Sequence, residues 1–199
     1  MTTTSVSLLG RLKQPDEGRA WGQLIELYGP LIRYWLKQHA ALASDADDIV
    51  QEVLAKLVQC IGQFEHNGRS GAFRTWLRGI THNCVRDFYA VRRNKPLATG
   101  GSSVQDALGE LARVDSPLSA LWERDHDLWV TRRLIEMLRS EFEPRTWAAF
   151  EGVTLQNRPA AEVAAELGIT PNAVAIAKSR VLRRLNEEAD GLVGTFPKK

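Results

Sequence analysis

Apolar residues recur at helical intervals along nearly the whole chain, and no stretch alternates convincingly enough to predict a strand. The clearest segment is Asp45 to Phe64. Its Ile49, Val50, Val53, Leu54, Leu57, Val58 and Ile61 follow the stripe of a half-buried helix and are expected to face inward. Residues Ala20 to Leu42 predict a long helix carrying Trp21, Leu24, Ile25, Leu27, Tyr28, Leu31, Ile32, Trp35 and Leu36, with a kink at Pro30. A third helix is predicted over Phe73 to Arg93, with Phe73, Trp76, Leu77, Ile80, Cys84 and Phe88 inward. A short, weak helix is expected at Thr4 to Leu12. Further on, Leu118 to Phe142 carries a stripe through Leu121, Trp122, Leu128, Trp129, Ile135 and Leu138, and Pro144 opens another helix through Trp147 and Phe150.

One break in composition interrupts this pattern. Between Asn94 and Pro117 lie Pro96, Gly100, Gly101, Ser102 and Ser103, which read as a flexible linker, followed by room for a short helix at Val104 to Leu111. The expectation is an all-α chain of two small helical domains, residues 1–95 and 118–199, joined by a flexible linker at 96–117.

The second of these ends in a helix-turn-helix. In AAEVAAELGITPNAVAIAKS, residues 160–179, Gly168 suits the positive φ that ends the first helix. Thr170 can N-cap the second helix and Pro171 suits its first turn. Val163, Ala164, Leu167, Ile169, Val174 and Ala177 are apolar or small where the two helices would meet. Helix, glycine turn and helix also occur as plain packing. The functional reading is a duplex reader, with Thr170, Asn172, Ala175, Ile176, Lys178, Ser179, Arg180 and Arg183 on the exposed side.

Composition narrows the classes. With 44% hydrophobic and 25% charged residues among 199, the chain is not disordered throughout. The two cysteines make no disulfide framework and suggest a reducing compartment. The opening MTTTSVSLLGRLKQ lacks the apolar core of a signal peptide, and no apolar run approaches the ~20 residues of a membrane span, so a cytoplasmic protein with no membrane partner is expected. His66, His82, Cys60 and Cys84 fall in no metal-binding spacing, and no glycine-rich phosphate loop or catalytic motif is present. No metal, no cofactor and no enzymatic activity are expected.

The net charge of +2 conceals a segregation. Asp45, Asp47, Asp48, Gln51 and Glu52 lie opposite the apolar stripe of their helix. Acids there suit the helix dipole, and they would also form a docking surface for a basic helical partner. From His66 to Lys95 the sign reverses: Arg69, Arg74, Arg78, Arg86, Arg92, Arg93 and Lys95 face a single acid, Asp87. Arg74, Arg78, His82 and Arg86 are spaced by four and share one side of a helix. The stripe reads either as a solvated surface or, with Tyr89 among the cations, as a footprint for nucleic-acid phosphates. The polar loop before it, Glu65 to Gly71, offers His66, Asn67 and Arg69 to an unstacked base.

Two of these segments resemble a known family. DADDIVQEVLAKLVQCIGQF followed by FRTWLRGITHNCVRDFYAVRRN is similar to region 2 of the bacterial extracytoplasmic-function sigma factors, of the sigma-70 family. EVAAELGITPNAVAIAKSRVLRRL looks like their region 4. The resemblance covers roughly residues 20–95 and 118–190, in the family's order. It implies a sigma factor, a monomer when free, that binds core RNA polymerase and directs promoter-specific initiation. Asp45, Asp48, Gln51 and Glu52 would dock on the coiled coil of the polymerase's largest subunit. His66, Asn67, Arg69, Arg74, Arg78, His82, Arg86, Tyr89, Arg92 and Arg93 would serve the −10 element. The helix-turn-helix would hold the −35 element beside the polymerase flap, and an anti-sigma factor is a further candidate partner. The chain departs from the family pattern in the recognition helix, where Ala173, Ala175 and Ile176 stand at positions that many members fill with Thr, Lys or Arg, and Ser.

Overall fold

The computed structural model describes residues 7–14, 18–65, 71–93, 104–106, 108–109, 113 and 116–193. No strand occurs among the described residues. The N-terminal helices are α1 (Leu8–Leu12), α2 (Gly18–Lys37), α3 (Ala40–Ala43), α4 (Ala46–Cys60) and α5 (Ala72–Arg93). The C-terminal ones are α6 (Pro117–Leu138), α7 (Pro144–Phe150), α8 (Ala160–Leu167) and α9 (Pro171–Ala189). Most of the proposed linker lies outside the described residues, although residues 104–106 and 108–109 are helical.

Local chemistry explains the boundaries. The Ser7 hydroxyl accepts from Gly10 N at 3.3 Å and starts α1. Helix α2 continues through Pro30 but ends at Lys37, so the long helix expected to reach Leu42 is two elements. Its last turn tightens, with Gln38 N and His39 N bonded to carbonyls three residues back, Trp35 and Leu36. Ser116 caps α6 by accepting from Ser119 N at 3.0 Å, and Pro117 occupies the first turn.

Helix α2 is the backbone of the core. Leu24, Leu27, Tyr28, Leu31, Ile32, Trp35 and Leu36 are buried along it, with α1, α4 and α6 packed around them. A single cluster of buried side chains runs from Leu8 to Leu192 and takes in residues of both the N-terminal and the C-terminal helices. An aromatic seam joins the two sets. Trp35 meets Trp122 edge-on with ring centroids 4.8 Å apart, Tyr28 lies 5.7 Å from His126, and Trp129 Nε1 donates to Leu27 O at 3.0 Å. Such aromatic pairs add about 0.5–1.5 kcal/mol beyond their burial.

Three of the apolar residues expected inward face water instead. Leu128 is 72% exposed, Val58 53% and Ile25 46%. On α6 the buried row is Ser119, Trp122, His126, Val130, Leu134 and Leu138, a clean helical spacing that includes two polar residues. An apolar pattern alone misplaces that stripe by selecting Leu128 over His126.

Helices α8 and α9 have their own small core of Ala149, Val163, Ala164, Val174 and Ala177, flanked by Val153, Leu167 and Ile169. A π-helical turn over Glu151–Leu155 feeds the chain into it. Gly152 in that turn sits so close to α8 that a Cβ there would lie 2.8 Å from Val163 Cγ2.

Candidate nucleic-acid interface

The helix-turn-helix is fully formed. Gly168 takes φ +60° and closes α8, its N–H reaching back to the carbonyls of Ala164 and Ala165. Thr170 Oγ1 accepts from Ala173 N at 3.1 Å and opens α9. Arg145, on α7, reinforces the turn from outside. Its Nε donates to Leu167 O at 3.1 Å and its Nη2 to Gly168 O at 2.9 Å, supplying donors to the carbonyls that a helix end leaves unpaired. Arg158 pairs with Glu162 at 2.7 Å and with Glu166 at 2.5 Å along the outer side of α8.

Val174 and Ala177 turn into the small core, which leaves Asn172, Ala175, Ile176, Lys178, Ser179 and Arg180 exposed. Arg183 follows one turn later, its side chain 75% exposed and 3.8 Å from Glu187. Thr170 is exposed, but its hydroxyl is committed to the cap. The face can therefore offer amide, methyl, hydroxyl and guanidinium groups together to a groove.

On α4, Asp48, Gln51 and Glu52 are exposed on one side. Asp45, at the N-terminal boundary, behaves differently: its Oδ2 accepts from the Tyr89 hydroxyl at 2.7 Å. The same hydroxyl lies 3.1 Å from Ala41 O. Tyr89 thus ties α5 to the start of α4, a role that its place among cations did not suggest. Asp47 pairs with Arg33 of α2.

Helix α5 does not present its cations as one open row. Arg86 is exposed and pairs with Asp87 at 2.9 Å, and His82 is half-buried. Arg74 and Arg78 turn inward. Arg74 pairs with Glu123 and, at 2.9 Å, with Asp127, both on α6, and its side chain is only 16% exposed. Arg78 is 6% exposed. His66, Asn67 and Arg69, and the side chains of Arg92 and Arg93, lie outside the described residues.

The acids that hold Arg74 were not singled out in the sequence, nor was the histidine beside them. His126 is fully buried, with Nδ1 2.9 Å from Asp127 Oδ1 and Nε2 3.4 Å from the Tyr28 hydroxyl. Burial holds its imidazole below the usual value despite the neighbouring carboxylate. Burial would raise Asp127, but its bonds to His126 and Arg74 hold it below the ordinary carboxylate range. A second network joins α1 to α9: Glu188, 2% exposed, accepts from Arg11 at 2.5 and 2.9 Å and from Arg184 at 2.7 Å, and Arg184 Nε also donates to Glu141 at 2.9 Å. The i, i+4 spacing of Arg184 and Glu188 is visible in the sequence, whereas the reach of Arg11 across 177 positions is not.

No helix among the described residues is long and apolar enough to cross a membrane, and no group of three or more potential metal ligands occurs among them.

Comparison with known proteins fits this geometry. The family profile described as Sigma-70 region 2 matches residues 24–95, the stretch from α2 through α5. The chain is 30% identical over 109 residues to the RNA polymerase sigma factor NccH of Alcaligenes xylosoxydans xylosoxydans, covering 54% of this chain and 56% of that protein. It is 26% identical over 142 residues to the RNA polymerase sigma factor CnrH of Cupriavidus metallidurans, covering 62% and 73%. With the ECF RNA polymerase sigma factor BldN of Streptomyces coelicolor it shares 24% identity over 172 residues, covering 86% and 61%. The chain thus spans little more than half the length of the first of these relatives. Residues 24–95 thus match Sigma-70 region 2 on α2–α5, and the chain as a whole is similar to RNA polymerase sigma factors.

Proposed function

We propose that this protein is a sigma factor that binds core RNA polymerase in the cytoplasm and directs promoter-specific initiation. In this reading residues 1–95 serve as region 2 and 118–199 as region 4, joined by a linker at 96–117. The observation that carries it is the presence, in one chain and in the family's order, of a region 2 match at 24–95 and a complete helix-turn-helix on α8 and α9. The exposed side of α4, through Asp48, Gln51 and Glu52 with Asp45 at its edge, docks on the coiled coil of the polymerase's largest subunit. Helix α5, through Arg74, Arg78, His82 and Arg86 and the segment before it, captures the melted −10 element. Helix α9 lies in the major groove of the −35 element. There Asn172 can pair with adenine, Arg180 with guanine, and Ala175 and Ile176 with a thymine methyl. The protein supplies contacts and no catalytic residue, since the polymerase performs the chemistry.

Run-off transcription with core polymerase on a genomic promoter library tests this directly. The expected result is initiation from a subset of promoters sharing spaced −10 and −35 elements. Duplex binding through α9 with no association with core polymerase would instead make the protein a stand-alone regulator.

A further inference from the structure

Asp45 stands one residue before α4, where an aspartate ordinarily accepts from an N–H of the first turn. Here its side chain makes no capping bond. Its Oδ2 accepts instead from the Tyr89 hydroxyl of α5 at 2.7 Å, a distance typical of a hydroxyl donating to a charged oxygen. The hydroxyl also lies 3.1 Å from Ala41 O of α3, but its one proton goes to the shorter, charged contact. Asp45 is half-buried, whereas Asp48 and Glu52 are exposed.

The two halves of α5 are held differently. Near its start Phe73 and Leu77 are fully buried, and Phe73 meets Phe64 edge-on with ring centroids 5.3 Å apart. Val85 is the last fully buried side chain among the described residues of α5. Beyond it Phe88 and Tyr89 are half-buried and Val91 is 68% exposed. Residues 85–93 extend about 12 Å at ~1.5 Å per residue. A lean of ~10° there moves the tip by about 2 Å, several times the ~0.5 Å within which a binding constellation must be held. With apolar anchorage fading, the angle of this stretch depends on the bond that Tyr89 makes.

We propose that Asp45 and Tyr89 are positioning residues for the −10 surface: their hydrogen bond fixes the angle at which the second half of α5 crosses α4. The proposal rests on the reading of α5 as the −10 surface. Arg86, exposed three residues before Tyr89, is the cation that the bond aims. The acids of α4 are thereby divided by task. Asp48 and Glu52 face outward to a partner, while Asp45 serves the DNA helix from within.

The test uses the full chain with core polymerase and two libraries built on one promoter, randomised across either the −10 or the −35 element. Tyr89→Phe keeps the ring and removes only the hydroxyl. Asp45→Ala removes the acceptor without removing a cap. Each should lower the enrichment of preferred −10 sequences by at least about threefold, the scale of a lost charge-assisted hydrogen bond, and leave −35 preference unchanged. Asp45→Asn, which keeps an acceptor oxygen, should restore most of the −10 preference. Tyr89→Phe in the Asp45→Ala background should bring no further loss. Amide hydrogen exchange of the free protein should quicken beyond residue 85 in both single variants and stay as in the wild type over residues 73–77. If Asp45→Ala loses its helical circular dichroism, Tyr89→Phe decides, through −10 preference and exchange together. Unchanged −10 preference in both variants overturns the proposal. A loss confined to Tyr89→Phe with unaltered exchange also overturns it, because the hydroxyl would then touch the DNA itself. A wild type that never initiates overturns the sigma-factor reading and the −10 assignment with it, and exchange alone then shows whether the bond holds α5.

Discussion

Glycine and histidine positions carry the sharpest residue-scale consequences. A methyl group at Gly152 meets Val163 at 2.8 Å, inside the van der Waals limit. Gly152→Ala should destabilise the protein by about 1–3 kcal/mol, the usual range for overpacking. Val163→Ala should recover part of that loss, so urea midpoints of the two single variants and the double variant should be non-additive. His126 yields a pH dependence. Its folded-state pKa lies below 6.5, so the unfolded chain binds the proton first as pH falls. Stability from the neutral ring is complete above about pH 6.5 and declines as pH drops through the lowered folded value. Asp127, also held low, adds a loss of the same sign in the more acidic carboxylate range. Urea midpoints should fall between pH 7.5 and 5.5, and fall less in His126→Gln; an equal decline in both proteins would place the dependence elsewhere.

At the scale of single elements, two helices can be separated by what their variants lose. On α4, Asp48→Arg with Glu52→Arg should abolish association with core polymerase while circular dichroism remains helical, because both side chains are exposed and carry no core. Retained affinity would remove α4 from the docking role. On α9, Asn172→Ala should relax sequence preference for −35 duplexes, with about 1–3 kcal/mol lost if the amide makes a bidentate pair. Arg183→Ala should weaken all duplexes alike, as loss of a phosphate contact does. Binding to a −35 duplex and to scrambled duplexes separates the two. The element scale also shows what a sequence can carry. The turn at Gly168, the cap at Thr170 and the residues between α8 and α9 are legible because each rests on a local rule of backbone geometry or periodicity. The inward face of α6 is not, because Ser119 and His126 occupy a stripe where periodicity looks for carbon, while Leu128 sits outside it. Likewise the fourfold spacing of Arg74 and Arg78 places them together on α5, but the carboxylates that hold Arg74 lie on α6, some fifty positions away. Tyr89 stands among cations in the sequence, whereas its bond to Asp45 is a matter of how α4 and α5 cross.

For the whole molecule, the shared core makes a prediction of its own. The sequence suggests two units and a linker, yet buried side chains form one cluster from α1 to the end of α9. Thermal unfolding followed by far-ultraviolet and by tryptophan signals should therefore coincide in one transition. Trp122→Ala, which empties the centre of the seam, should split it in two, and a wild type that already shows two transitions would contradict the shared core. Helix α9 gives this unity a mechanical meaning. It is 19 residues long, about 28 Å at ~1.5 Å per residue. Its first half displays Asn172 to Arg180 to solvent, and its second half roots Val181, Leu185, Glu188 and Ala189 in the core. The reading end and the anchored end are thus one stiff rod. Arg11 and Arg184 hold the root at Glu188, so a small tilt there is carried along the rod and enlarged at the side chains of its tip.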